Sequence, residues 1–119
     1  MSASSGIVVH ITSGENADWR MALRNILNLY EDESVPTAAE AITVVVNGDA
    51  VRFLLASAPE ATQINQMAAA GVQINACEGS LDRLGFASAA LADGASRIPS
   101  GVAKVVRCQK RGDTYLKLP

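Results

Sequence analysis

The chain has 119 residues, 49% hydrophobic and 18% charged, which suits one compact domain with one core and excludes intrinsic disorder as the general state. Ten Lys and Arg against twelve Asp and Glu leave a net charge of −2, so no global positive field attracts nucleic acid or anionic lipid. Aromatic residues at 4% offer few platforms for base stacking, and neither a nucleic-acid nor a membrane partner is expected.

Residues 1–6 read as a frayed tail rather than a basic-then-apolar secretory signal, with a single domain over 7–119. Ile7–Ile11 is a short β-branched run ending at Thr12-Ser13-Gly14, the pattern of a buried strand turning into a helix. Trp19, Ala22, Leu23, Ile26, Leu27 and Tyr30 then recur at helical spacing, with Ser13 or Asn16 able to cap and Glu15 and Asp18 in the first turn. The acidic connection 31–36 leads to a second buried strand, Ile42–Val46, closing at Asn47-Gly48. That strand is also the longest apolar run, far short of the roughly 20 residues a membrane helix needs.

A short helix is expected over 51–56, stopping before Pro59, and another over Ala61–Ala70, stopping at Gly71. Residues 72–76 make a third strand. Helical composition over 78–84 ends at Gly85, 86–91 adds another turn, and 97–99 has room only for a short strand or extended turn. The last helix spans 100–111 with Val102, Val105 and Val106 on one face, and Gly112-Asp113 turns into a closing strand, Thr114–Leu118. Apolar strands separated by helices predict a parallel sheet covered on both faces, an α/β fold built as a three-layer α/β/α sandwich.

In such sheets ligands bind beyond the carboxyl ends of the strands. Three segments lie there: Ser13 and Gly14 after strand one, Asn47 and Gly48 after strand two, and Cys77, Gly79 and Ser80 after strand three. Cys77 sits where a helix begins, so unpaired N–H groups and the helix dipole favour its thiolate, a sulfur nucleophile at neutral pH, and Gly79 leaves the approach open. The alternative is that Cys77 is a small core residue, cysteine being among the most buried types. Cys108 falls off the valine face beside Lys104 and Arg111, as a partly exposed thiol or a helix-flank residue without a role. Two Cys and one His are too few for a disulfide framework or a zinc site, so reduced thiols in the cytoplasm, no metal and no cofactor are expected. His10 reads as a satisfied imidazole sharing a face with Val8 and Thr12. With Ser13 and Asp18 it makes no hydrolase triad, since the Gly-x-Ser-x-Gly elbow is missing.

Several segments follow in a specific order: Val9-His10-Ile11-Thr12-Ser13-Gly14, Trp19, Leu23-x-x-Ile26-Leu27-Asn28, Val45-Val46-Asn47-Gly48 and Gly71-Val72-Gln73-Ile74-Asn75-Ala76-Cys77. Pro99-Ser100-Gly101-Val102 and Gly112-Asp113-Thr114-Tyr115-Leu116-Lys117 complete the series. Together they resemble the DsrE/DsrF-like (DsrEFH) family of small sulfur-relay-type proteins, over nearly the whole chain after the tail. The resemblance implies a parallel five-stranded α/β/α domain, assembly into trimers or hexamers, and a cysteine that carries persulfide sulfur between partner proteins. That cysteine falls on Cys77. The expected function is therefore a sulfur carrier in which Ser80 and helix N–H groups stabilise charge, with a sulfur donor or acceptor protein as partner. The rival is a non-catalytic oligomeric module holding a small anionic ligand in the strand-end cleft. Phe53 and Leu54, in a short apolar stretch, are the candidate subunit-interface residues.

Overall fold

The computed structural model of the protein describes residues 6–119. Strand β1 (Ile7–Ile11) leads through helix α1 (Asn16–Glu31) to β2 (Ile42–Val46). A 3-10 segment (Gly48–Leu54) and α2 (Ala61–Ala70) lead to β3 (Gln73–Cys77), and α3 (Glu78–Arg83) precedes a long connection to β4 (Ala95–Ile98). Helix α4 (Gly101–Lys110) returns the chain to β5 (Thr114–Leu118). Every pairing is parallel and the strand order is β4-β3-β2-β1-β5. The chain thus takes three steps in one direction and one long step back past its first strand. Right-handed crossovers place the helices of outward steps on one face of a sheet and those of a return step on the other. The sheet is accordingly the middle layer of an α/β/α sandwich.

The two faces are packed unequally. On one, Val9, Ile11, Ile42, Val44, Val46, Ile74 and Ala76 meet Trp19, Leu23 and Ile26 of α1, Ile64 and Met67 of α2, and Leu81 of α3. Fully burying each large side chain is worth about 1.5–3 kcal/mol, so this cluster carries most of the fold's stability. Trp19 also stacks on Phe53, ring centroids 5.1 Å apart and 13° from parallel, an offset arrangement favoured by the ring quadrupoles. On the other face a smaller cluster joins Val8, Val45, Val105 and Cys108, with Ile98 at its margin. Strand β2 is buried at all five positions, because it has a strand on either side and a helix layer on both faces.

Helix α2 ends as its sequence predicts: Gly71 adopts φ 122°, its N–H donates to Ala68 O at 3.0 Å and the Val72 N–H to Met67 O at 3.1 Å. The helix expected over 51–56 is instead the later part of the 3-10 segment. In that tighter coil residues three apart eclipse, which turns Ala50, Val51, Phe53 and Leu54 inward. Phe53 (5% exposed) and Leu54 (0%) therefore belong to the core and are not interface residues. Residues 86–91 add one hydrogen-bonded turn, the Ala89 N–H donating to Phe86 O at 3.1 Å, and then run beside 54–56, joined by the Leu55–Leu91 bridge and by the Ala56 N–H donating to Ala90 O at 2.9 Å. Their apolar side chains, Phe86 and Leu91, pack on the larger cluster.

On α4 the inward stripe is Gly101, Val105 and Cys108, rotated from the expected valine face. Val102 and Val106 are 59% and 44% exposed, whereas Cys108 is 1% exposed and part of the smaller core. The glycine explains the rotation, since its bare backbone lets the start of the helix lie against the sheet. The tail expected over 1–6 lies, apart from Gly6, outside the described residues; Gly6 is buried and its carbonyl accepts the Thr114 N–H at 2.9 Å. No helix among the described residues is long and apolar enough to cross a membrane.

Candidate functional site

Cys77 is the last residue of β3 and caps the start of α3. Alternation along β3 turns Gln73, Asn75 and Cys77 towards the α4 face, opposite Ile74 and Ala76 of the larger cluster. Cys77 is partly exposed as a residue. It lies between the beginnings of two helices, α3 and α4. A Cβ built on Gly101, the first residue of α4, would stand 3.3 Å from the Cβ of Cys77, 3.3 Å from that of Asn47 and 3.2 Å from Val45 Cγ1. Any larger residue here would press on all three neighbours, so glycine favours this close approach of α4.

Partial burial pushes the Cys77 thiol up, but the N–H groups of Gly101, Ser80 and Gly79 and the Ser80 hydroxyl together outweigh it, leaving the thiol below its ordinary value. These donors bond the charged form and not the neutral one, which is how hydrogen bonds lower a pKa. Ser80 is 1% exposed, and its Oγ accepts the Gly48 N–H at 2.8 Å and is approached by Arg83 Nη2 at 3.4 Å. Gly48 holds φ 67°, the left-handed turn that swings the chain out of β2 and aims its N–H at Ser80. Gly79 is exposed, and a Cβ built on it would stand 3.8 Å from Cys77 Sγ.

Asn47 continues β2 by one residue, its N–H donating to Ile11 O at 3.2 Å. Since Val46 pairs with Ala76, Asn47 and Cys77 are neighbours at the carboxyl ends of adjacent strands, on the same face. The Asn47 Oδ1 is bonded by His10 Nε2, and His10 Nδ1 accepts the Tyr115 hydroxyl at 2.8 Å. His10 is a satisfied, half-buried imidazole, and its partners are Asn47 and Tyr115.

The structure therefore brings together Cys77, Gly79, Ser80, Asn47 and Gly48. Ser13 and Gly14 are engaged elsewhere. The N–H groups of Thr12 and Ser13 donate to Pro119 O at 3.0 and 2.8 Å, Ser13 Oγ donates to Asp18 at 2.6 Å, and Gly14 O accepts from Arg52 at 2.7 Å. The chain's end thus occupies the backbone donors that a ligand after β1 would use. Gly101 and His10 are the site residues that sequence reasoning missed. Gly101 had one local signal, a glycine in the first helical turn, where helix propensity disfavours it by about 1 kcal/mol relative to Ala and a close approach explains it.

The fold has clear structural relatives. The structure of a protein of unknown function, MTH1491 from Methanobacterium thermoautotrophicum, superposes with a TM-score of 0.85 at 24% identity, covering 96% of this chain and 99% of that one. The ychN protein from E. coli gives a TM-score of 0.81 at 18% identity, over 97% and 100% of the two chains. Protein BT1422 of unknown function from Bacteroides thetaiotaomicron gives 0.70 at 20%, over 98% and 100%. No curated protein matches the sequence. The pattern of the DsrE/DsrF-like family matches residues 6–118, and with that span covered the chain belongs to the DsrE/DsrF-like family.

Proposed function

We propose that the protein is a persulfide sulfur carrier of intracellular sulfur metabolism, working through Cys77. The observation that carries this is the partly exposed Cys77 between two helix starts, where backbone N–H groups and the Ser80 hydroxyl favour its thiolate. The Cys77 thiolate attacks the outer sulfur of a donor persulfide; the Cys77 S–S bond forms as the donor's S–S bond breaks, and the donor leaves as a thiolate. An acceptor thiolate then attacks the same outer sulfur and Cys77 leaves as a thiolate. Neither step needs an oxidant or reductant. A lowered thiol pKa serves both, supplying the nucleophile at neutral pH in the first and a better leaving group in the second. Self-association into a trimer or hexamer is part of the proposal, and Val102 and Val106 supply exposed apolar surface for it beside the site.

Incubation with polysulfide, or with a cysteine desulfurase and cysteine, should add about 32 Da per persulfide formed. The gain should vanish in Cys77→Ser and persist in Cys108→Ser. Loading that follows Cys108, or a Cys77 that alkylates only on unfolding, refutes the carrier role. The second outcome would favour a module that binds a small anion at the same donors.

A further inference from the structure

One further element of the site takes no part in the carrier chemistry: the side-chain relay Tyr115, His10 and Asn47, which runs from β5 across β1 to the residue beside Cys77. We infer that Asn47 donates its side-chain N–H to the outer sulfur of the Cys77 persulfide, and that His10, braced by Tyr115, is the positioning residue that turns the Asn47 carboxamide to do so. The inference rests on the carrier proposal and deepens it.

Three observations support it. Asn47 and Cys77 lie side by side at the ends of paired strands, and their Cβ atoms flank a single point above Gly101 at 3.3 Å each. An S–S bond puts the outer sulfur about 2 Å from Sγ, a distance that a neighbouring asparagine side chain can reach across. Second, the Asn47 oxygen is already committed to His10 Nε2, and His10 Nδ1 accepts from the Tyr115 hydroxyl at 2.8 Å. This pairing requires the proton on Nε2 and fixes which end of the carboxamide faces the imidazole. The amide N–H₂ is left for another acceptor. Third, the N–H groups of Gly79, Ser80 and Gly101 and the Ser80 hydroxyl act on Sγ, whereas the negative charge of a persulfide sits on the outer sulfur, one S–S bond away from them, and the neighbouring Asn47 amide is the donor assigned to it. Both transfer steps bring a second thiolate to that outer sulfur. A donor hydrogen bond there reduces the repulsion between two anionic sulfurs at the moment of transfer, the logic of donors placed where charge develops.

The test separates the outer sulfur from Sγ. Loading of Cys77 from polysulfide and discharge of the persulfide to glutathione are followed by mass spectrometry, and iodoacetamide alkylation of the unloaded thiol is followed in parallel. Asn47→Ala should slow discharge about tenfold, in the range for losing one hydrogen bond to a charged group, and leave alkylation within about twofold, because alkylation involves no outer sulfur. His10→Phe should slow discharge in the same sense but less, His10→Gln, which keeps a donor near the Nε2 position, should recover most of the rate, and the Asn47→Ala/His10→Phe double variant should be no slower than Asn47→Ala alone. Discharge at the wild-type rate in Asn47→Ala, alkylation falling in step with discharge, or additive effects in the double variant would each overturn the inference and leave the carrier proposal standing. A wild-type protein that gains no sulfur overturns both.

Discussion

The two faces of the sheet are built from the same five strands and do different work. The face under α1, α2 and α3 is apolar along its three central strands, with polar side chains only on the flanking strands at Arg97 and Thr114, and Trp19, Leu23, Ile26, Leu54, Ile64 and Met67 against it are almost wholly buried. The face under α4 has one helix for five strands, and its rows carry His10, Thr43, Asn75, Cys77, Tyr115 and Lys117 among only a few valines. A ten-residue helix is about 15 Å long, too short to close a five-stranded sheet. The closed face holds the fold, which frees the open face to carry polar side chains, buried at Thr43 and Asn75 and partly exposed at His10 and Cys77.

The sharpest way to break that comparison is to damage each face separately. Trp19→Ala, which removes the largest buried side chain and its stacking on Phe53, should cost about 3–5 kcal/mol, read as a lowered urea midpoint. Sulfur loading per folded molecule should stay unchanged. A loss of loading in the folded fraction would mean that the faces are not independent.

Gly101→Ala attacks the open face. Its new methyl would press on Val45, Asn47 and Cys77 at 3.2–3.3 Å, and these neighbours belong to strands that cannot all give way. An overpacking cost of about 1 kcal/mol should accompany a slower alkylation of Cys77, because the Gly101 N–H is pushed off the sulfur. Ser100 caps the same helix, its Oγ accepting the Ala103 N–H at 3.2 Å. Ser100→Ala should therefore cost about 1 kcal/mol by fraying α4 from its first turn, with a smaller effect on alkylation than Gly101→Ala.

The smallest expected effect is a pH dependence. The folded Cys77 pKa lies below its ordinary value, so the unfolded chain binds more protons between the two values and stability rises with pH across that window. The gain is complete above the unfolded thiol value of about 8.5, and is lost as pH falls through the folded value. Wild type should gain on Cys77→Ser in urea unfolding as pH is raised from 6 towards 8.5, with a constant difference above that. A difference that does not change with pH would show that the donors around the sulfur do not act on its charge.

Much of this was legible in order of residues alone. The β-branched runs Ile7–Ile11 and Ile42–Val46 and the 3.6-residue spacing from Trp19 to Tyr30 follow from local geometry, and Gly71 ends α2 where its positive φ is needed. The Cys77 position also followed, since a strand end running into a helix is written in adjacent residues. Reading failed where a neighbour distant in sequence decided. The stripe Gly101, Val105 and Cys108 faces inward because the helix start is drawn against Val45 and Asn47, and no pattern within 100–111 records that. Residues 51–54 turn into the core through a 3-10 coil that presents Phe53 beneath Trp19, a partner 34 residues away in sequence.

By itself the sequence determined the element types, the parallel three-layer class and the thiol at the end of β3, because hydrophobic period, glycine turns and strand-to-helix junctions are local properties. Only the tertiary structure decided that Ser13 and Gly14 spend their hydrogen bonds on Pro119 and Arg52, that Cys108 is core, and that Gly101, Asn47 and His10 gather at Cys77. Those outcomes depend on β5 stepping back beside β1 and on α4 crossing beneath the sheet, which sets contacts between residues up to 108 positions apart and is fixed by the packing of whole elements.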